Sequence, residues 1–466
     1  MTRFLPRAAG AVLAAALAFA WTGPAFAISV ARDTEIEEFL WHEARPIFVA
    51  AGLDPNAVTI YLVSDPSFNA FVSGGQNMFI FTGLIDQVEK PDQLLGVIAH
   101  ETGHMAGGHL SRSGDDVTAE AAPFLITMLA GLAAMLAGAG QAGMGIILGA
   151  QHAMQRAILG YSRVQEASAD QAAITYLDTI HRSGEGMLET FELLGQQELL
   201  TANMQDPYAR SHPMSSDRIA FLEDRVSKSP YRDNRDSPED IARFKLIQGK
   251  VRGFMDDPQT TLRRYPPSDT SGEARYARAV AYYRAAEFGS ANREIDSLIA
   301  EAGDNPYFWE LKGQILAEAR DFRAAAQAFE KSVALKPKAP LLQVNLGATL
   351  VALEDPKLLP EARDTLEDAL RRDPTNAFAW LQLSFAYDHL GNEGMAALAM
   401  AEQRFNMGEY GDAIRFAARA KKLLPAGSRE ANRADDIIVI AEAQEPDEDD
   451  RGGRGRLSIE TNLTEK

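Results

Sequence analysis

The sequence predicts a mostly helical α+β protein, with a small β-sheet in an N-terminal domain and an α-solenoid behind it. Three observations carry this. The hydrophobic period becomes that of strands only between about residues 58 and 85, and is helical almost everywhere else. From Glu273 the chain repeats a helix-turn-helix unit of about 34 residues. Its 466 residues suffice for two or three domains at roughly 100 to 200 residues each, so a sizeable core is available.

The chain opens MTRFLPRAAGAVLAAALAFAWTGPAFA, where Arg3 and Arg7 precede an apolar run that finishes in Ala25-Phe26-Ala27. That is the pattern of a secretory signal peptide cleaved after Ala27, with a retained N-terminal anchor as the weaker alternative. Residues 1–27 are therefore set outside the fold. Losing Arg3 and Arg7 takes the formal charge from −19 to −21, which disfavours a nucleic-acid partner. Cysteine is absent, so the oxidising surroundings that export implies are not used for disulfides. Metal ligands must then be His, Asp or Glu.

Residues 28–60 begin helically, because IEEFLWHEARPIF sets Ile36, Phe39, Leu40 and Trp41 at helical spacing. VTIYLV (Val58 to Val63) reads as a strand, and NAFVSGGQNMFIFTGLI as two short strands around a Gly74-Gly75 hairpin. Helical spacing returns from Pro91 to Leu110, with Asp92 near its start and Gly107-Gly108 near its end. Residues 121–155 contain no Asp, Glu, Lys or Arg. A membrane span needs about 20 apolar residues, but much of this run is weakly hydrophobic Ala and Gly. A lid or membrane-touching flap is therefore favoured over a buried core helix or a true span. Helical pattern resumes near Tyr161 and runs with interruptions to about Arg225, closing a domain over 28–225.

Residues 226–270 are rich in Pro, Asp, Arg and Ser and read as a linker holding one helix, Ile241 to Phe254. In the repeats over 271–436, Trp309, Gly313, Leu316, Ala325, Phe329 and Pro337 stand where the tetratricopeptide repeat needs them, with later copies anchored by Gly347, Ala362, Pro374, Trp380, Tyr387, Ala413, Ala420 and Pro425. Pro337 and Pro374 are three residues too far apart, an excess assigned to EDPKLLPEA. Each unit buries its apolar face only against its neighbours, which makes a curved solenoid. The tail, 437–466, is expected to be disordered.

The chemistry is concentrated in GVIAHETGHMAGGH. His100 and His104 are four residues apart, about 400° around a helix, so both project from one face and can grip one ion. Glu101 lies about 100° round from His100, off the ligand stripe but beside the open coordination position, where a carboxylate can take a proton from activated water. His109 would stand about 140° from His104 on a continued helix and is read as structural. The better third donor is in YSRVQEASADQAAITYL, where Glu166 and Asp170 form an i, i+4 pair on an alanine-rich helix. Glu166 would complete a His, His, Glu set with one open position, and Asp170 could fix the tautomer of a ligating histidine or act as a second acid in turnover. In RSHPMSSDRIAFLEDR, His212 precedes a proline and Arg218 follows six residues later. His212 is read as a cap for the open position and Arg218 as a partner for an acid near the metal.

Together NAFVSGGQNMFIFTGLI, AHETGHMAGGH, EASAD and SHPMSSDR resemble the zinc peptidases that include HtpX and the CAAX prenyl proteases, over about residues 35–225. The resemblance implies a gluzincin-type metalloprotease domain holding one Zn2+ per chain on His100, His104 and Glu166, with Glu101 as general base. It offers Asp170 as a proton donor, while its helix position argues equally for an orienting acid. For His212 it implies a histidine that blocks the zinc at rest. Membrane-embedded members carry transmembrane helices where 121–155 lies, which leaves peripheral membrane contact through that segment open.

The expectation is a periplasmic zinc endopeptidase, with a chaperone-like side, in quality control and assembly of outer-membrane β-barrel proteins. Misfolded or stalled clients would add a strand along an edge near Met78 to Phe81, and the repeats would bind a client or the β-barrel assembly machinery. Two alternatives remain: a chaperone or assembly scaffold with a latent zinc site, and an inner-membrane quality-control protease anchored by residues 124–148.

Overall fold

The computed structural model describes residues 30–73, 76–108, 163–196 and 205–444. The signal peptide, Gly74-Gly75, His109, the uncharged run 121–155 and the tail beyond 444 lie outside the described residues. Among the described residues no helix is long and apolar enough to cross a membrane. The chain divides into two compact units, one containing Leu40–Ser237 and the other Asp33–Phe39 with Pro238 onward.

In the first unit, β1 (Val30–Ala31), β2 (Thr59–Val63), β3 (Ala70–Ser73) and β4 (Asn77–Phe81) form one sheet in the order β1-β2-β4-β3. The hairpin read from the sequence is present: β3 and β4 pair antiparallel, with Ala70 opposite Ile80 and Ser73 opposite Asn77. Alternation sends Ala70, Val72, Met78 and Ile80 into the core and stacks Phe71, Phe79 and Tyr61 on the other face, with ring centroids 4.7 and 5.0 Å apart. The expected substrate edge needs correction. β4 also pairs with β2, in parallel, so Met78 to Phe81 lie inside the sheet, and among the described residues the edge on this side is β3.

Behind the sheet runs a helix, Pro91–Gly107, that is buried along most of its length and packs against β3. Pro91 suits its first turn, where an N–H would have no helical partner. The Gln93 side chain accepts from the Lys90 N–H at 3.2 Å, and Gly108 ends the helix at φ 63°, a value glycine adopts without strain. A charged network ties its start to the far end of the unit: Asp236 accepts from the Asp92 N–H at 2.8 Å, Arg235 donates to Asp92 at 2.7 Å, and Arg182 pairs with Asp236. Residues 163–179 form a helix close beside it, and Glu185–Gln196, Pro207–Ser211 and Ser216–Lys228 follow in the same unit.

Gly103, between the two histidines of the helix, lets residues 163–179 come close. A Cβ there would stand 2.8 Å from the carbonyl oxygen of Ala169 and 2.9 Å from its Cα, well inside ordinary contact. Ala169 lies between Glu166 and Asp170, so this close approach is what brings the two acids to the two histidines.

In the second unit the helices run in consecutive pairs from Gly272–Arg284 to Arg429–Gln444, each pair packing chiefly on the next. Gly313 faces the Phe329 ring, where a Cβ would lie 2.6 Å from it, so the repeat register read from the sequence holds at its tightest point. The turn between Pro340–Ala352 and Leu359–Arg372 is three residues longer than that between Pro306–Glu318 and Phe322–Leu335, which accounts for the extra residues. Two boundaries differ from the composition. Pro238–Met255 buries Phe244, Ile247 and Val251 within this unit rather than bridging as a linker. The last helix runs on to Gln444 because Ile437 and Ala441 are buried one turn apart.

Lys250 is the charged centre of this unit. Its buried Nζ stands 2.6 Å from Asp33 and 3.1 Å from Glu35, and the Tyr276 hydroxyl donates to Glu35 at 2.8 Å. Nearby Glu310 accepts from Asn345 at 3.0 Å; burial raises its carboxyl to about 8, although Lys250 pulls the other way.

Candidate metal centre

Four buried side chains converge: His100 and His104 from Pro91–Gly107, Glu166 from the helix over 163–179, and His212 from the loop after Pro207–Ser211. The Nε2 atoms of His100 and His104 are 3.1 Å apart and lie 3.4 and 3.3 Å from Glu166 carboxylate oxygens. His212 Nδ1 adds a fourth corner, 3.3 Å from His100 Nε2 and 3.1 Å from Glu166. Ligands bound tetrahedrally at about 2.0–2.1 Å stand about 3.3 Å from one another, so these donor atoms have the spacing that one small divalent ion demands.

The next layer fixes that arrangement. His100 Nδ1 lies 3.0 Å from Asp170 Oδ1, which orients the ring so that Nε2 faces the other donors. Arg218 grips Asp170 with two N–H groups, Nε to Oδ2 and Nη2 to Oδ1, both at 2.7 Å. Its Nη1 reaches Glu166 at 3.0 Å and the Pro213 carbonyl at 2.8 Å, so one guanidinium holds both acids and the loop that carries His212. Phe191 closes the cavity, edge-on to His100 with centroids 5.3 Å apart and under Arg218 at 5.4 Å.

The electrostatics favour a cation. Burial opposes charge on His100, yet Asp170 and Glu166 overcome it and raise the imidazole to about 9. Burial alone would push Glu166 up, but hydrogen bonds with His100, His104 and His212 hold it far below the usual carboxylate range. Asp170 is lowered against its own burial by Arg218 and His100. Three buried carboxylates, Glu101, Glu166 and Asp170, outnumber the one guanidinium, an excess of negative charge that a proton on His100 offsets only in part and that a bound cation would balance.

Glu101 is buried, and its Oε1 stands 3.5 Å from His212 Nε2, beside the corner that His212 occupies. Every site residue singled out from the sequence is therefore in one cluster. The one adjustment concerns Asp170. It touches His100 and Arg218 and points away from the donor atoms, which suits an orienting acid and not a proton donor to substrate. Sequence reasoning missed Phe191, Gly103 and Tyr208. The tyrosine stands four residues before His212, a spacing that would have marked it had the helix Pro207–Ser211 been recognised.

Residues 31–226 match Peptidase family M48, and residues 296–431 match the Cytochrome c-type biogenesis protein H TPR domain. The chain is 23% identical over 378 residues to the Beta-barrel assembly-enhancing protease of Yersinia pestis, covering 80% of this chain and 77% of the relative. Its counterpart in Escherichia coli K12 is 22% identical over 386 residues, covering 80% and 76%. Metalloprotease YcaL of the same organism is 30% identical over 170 residues, 36% of this chain and 61% of the relative. The chain thus joins a domain that matches peptidase family M48 to one that matches tetratricopeptide repeats, and is a metalloendopeptidase.

Proposed function

We propose that this chain is a periplasmic zinc endopeptidase that acts on misfolded or stalled outer-membrane β-barrel proteins, and that its repeats hold a client or the assembly machinery. The observation that carries the chemistry is the donor set of His100, His104 and Glu166, spaced for one ion with Glu101 beside it. Nitrogen and carboxylate donors without cysteine suit zinc, with three protein ligands in the catalytic arrangement. A bound zinc ion would lower the pKa of a water molecule and polarise the scissile carbonyl.

The rest is done by the chain. Glu101 accepts the proton of the attacking water and delivers it to the leaving amine nitrogen. Asp170, locked by Arg218, keeps His100 in the tautomer that presents Nε2. His212 occupies the fourth corner at rest and must withdraw before a peptide enters, which is regulation built into the loop of Pro213. The client lies along β3 as an added strand. Backbone pairing there needs little sequence specificity, and β3 packs on the helix that carries the histidines.

Outer-membrane clients are supported by the names of the relatives that match both units, and by the alternation of apolar side chains that such proteins expose when unfolded. In the repeats, exposed Phe378 and Phe385 lie seven residues apart on one helix face, and a cavity of about 610 Å3 is lined by Trp380, Leu383, Tyr387 and Met395. Glu101→Gln is expected to bind zinc as the parent does and to lose cleavage of an unfolded outer-membrane protein. Full cleavage by that variant would refute the mechanism.

A further inference from the structure

Tyr208 is fully buried, and among the described residues no group meets its hydroxyl with hydrogen-bond geometry, although Glu101 is close. A buried hydroxyl without a partner costs stability, and such groups are uncommon unless they serve a function. Its place is specific. The ring packs against His212 with centroids 4.6 Å apart, faces His100 at 6.4 Å, and is anchored by its own N–H to the Phe68 carbonyl at 3.4 Å.

Two other buried atoms of the cluster lack a partner by hydrogen-bond geometry among the described residues: Nδ1 of His100, which stands 3.0 Å from Asp170, and Oε1 of Glu101. Glu101 lies within reach of the tyrosine hydroxyl, and its charge adds to burial in raising that phenol well above its usual range. One unfilled donor and one unfilled acceptor therefore flank the corner that His212 occupies. Of the cluster's other side-chain donors, Arg218 is committed to Asp170, Glu166 and the Pro213 carbonyl, and His100 Nδ1 faces Asp170 at 3.0 Å, away from that corner. His212 is itself the group that has to move.

We infer that Tyr208 is a further catalytic residue, whose hydroxyl donates to the reacting oxygen of the peptide carbonyl as it becomes negative, once His212 has withdrawn. The inference rests on the peptidase reading above. No proton changes hands at Tyr208; it supplies a fixed donor where charge develops, which is where such a bond is worth most. Its lack of a partner at rest is the preorganisation that this task requires.

The test is Tyr208→Phe, which keeps the ring and removes the hydroxyl, made in the full chain and again in the His212→Ala chain so that withdrawal of His212 does not limit turnover. Cleavage of fluorescein-labelled casein is followed together with zinc content and thermal unfolding of the metal-free protein. The expected result is a fall in kcat of about 10- to 100-fold with KM changed less than about 2-fold. Zinc content is expected to be unchanged and the metal-free unfolding temperature no lower than the parent's, because an orphaned polar group has been removed. A kcat within about 2-fold of the parent, or a fall accompanied by lost zinc or a lower unfolding temperature, would overturn the assignment. Glu101→Gln, run in parallel, separates the two readings. If it still cleaves, the peptidase mechanism fails; if it is inactive while Tyr208→Phe is not, only the role of Tyr208 fails.

Discussion

Gly103→Ala is a one-methyl perturbation that carries no chemistry of its own. The added Cβ would lie 2.8 Å from the Ala169 carbonyl oxygen and 2.9 Å from its Cα, where ordinary contact begins near 3.4 Å. Both neighbours are backbone, so no side chain can swing aside. The helices must part by at least about 0.5 Å, and metal sites tolerate shifts of only about 0.2 Å in ligand position. Glu166 and Asp170, on either side of Ala169, would be carried away from His100 and His104. Zinc affinity is expected to fall about 10- to 100-fold, as it does when a supporting contact of a metal site is lost. Overpacking is expected to lower the stability of the metal-free protein by about 1–3 kcal/mol. Competition with a chromogenic chelator measures the first and urea unfolding the second. Parental zinc affinity in a folded Gly103→Ala protein would refute the claim that this close approach assembles the site.

Three further outcomes follow from the same contacts. Arg218→Ala leaves Asp170 buried without its guanidinium and frees the Pro213 carbonyl; a loss of about 3–5 kcal/mol is expected in urea unfolding, and a loss under 1 kcal/mol would show that the pair is dispensable. His212→Ala opens the fourth corner, so basal cleavage and self-cleavage should rise on a gel time course; unchanged turnover would make the histidine an ordinary loop residue. Glu310 sits among Lys250, Asp33, Glu35 and Asn345, with its folded value raised from 4.5 to about 8. Its stabilising contribution is therefore complete below 4.5 and lost as pH rises towards 8, so the stability of Glu310→Gln relative to the parent should improve between about pH 5 and 9. Parallel thermal-unfolding curves for the two proteins across that range would contradict it.

The site was legible where its logic is local. His100, Glu101 and His104 are defined by the helical period, and Glu166 with Asp170 by an acid pair at i, i+4 on a helix otherwise rich in alanine. What each acid does was not local. The orienting role proposed for Asp170 rests on Arg218, 48 residues further on, which reaches it through the fold. Tyr208 is marked in the sequence only by its spacing from His212, and the role inferred for it rests on a hydroxyl that no described residue meets with hydrogen-bond geometry. The sheet teaches the same lesson. The β3–β4 hairpin followed from alternation around two glycines, but that β4 is interior depends on a parallel pairing with β2 that no short-range pattern encodes. In the linker the helix Ile241 to Phe254 was legible, but its polar surroundings gave no sign that Phe244, Ile247 and Val251 are buried within the second unit.

The central claim is that His100, His104 and Glu166 hold one zinc ion for Glu101 to work beside. The most direct measurement is zinc content and cleavage of an unfolded outer-membrane protein, compared between the parent, Glu101→Gln and Glu166→Gln. One zinc per chain in the parent and in Glu101→Gln, cleavage only in the parent, and neither full zinc nor cleavage in Glu166→Gln is the predicted pattern. Zinc-free parent protein that cleaves, or a Glu101→Gln protein as active as the parent, would contradict the account.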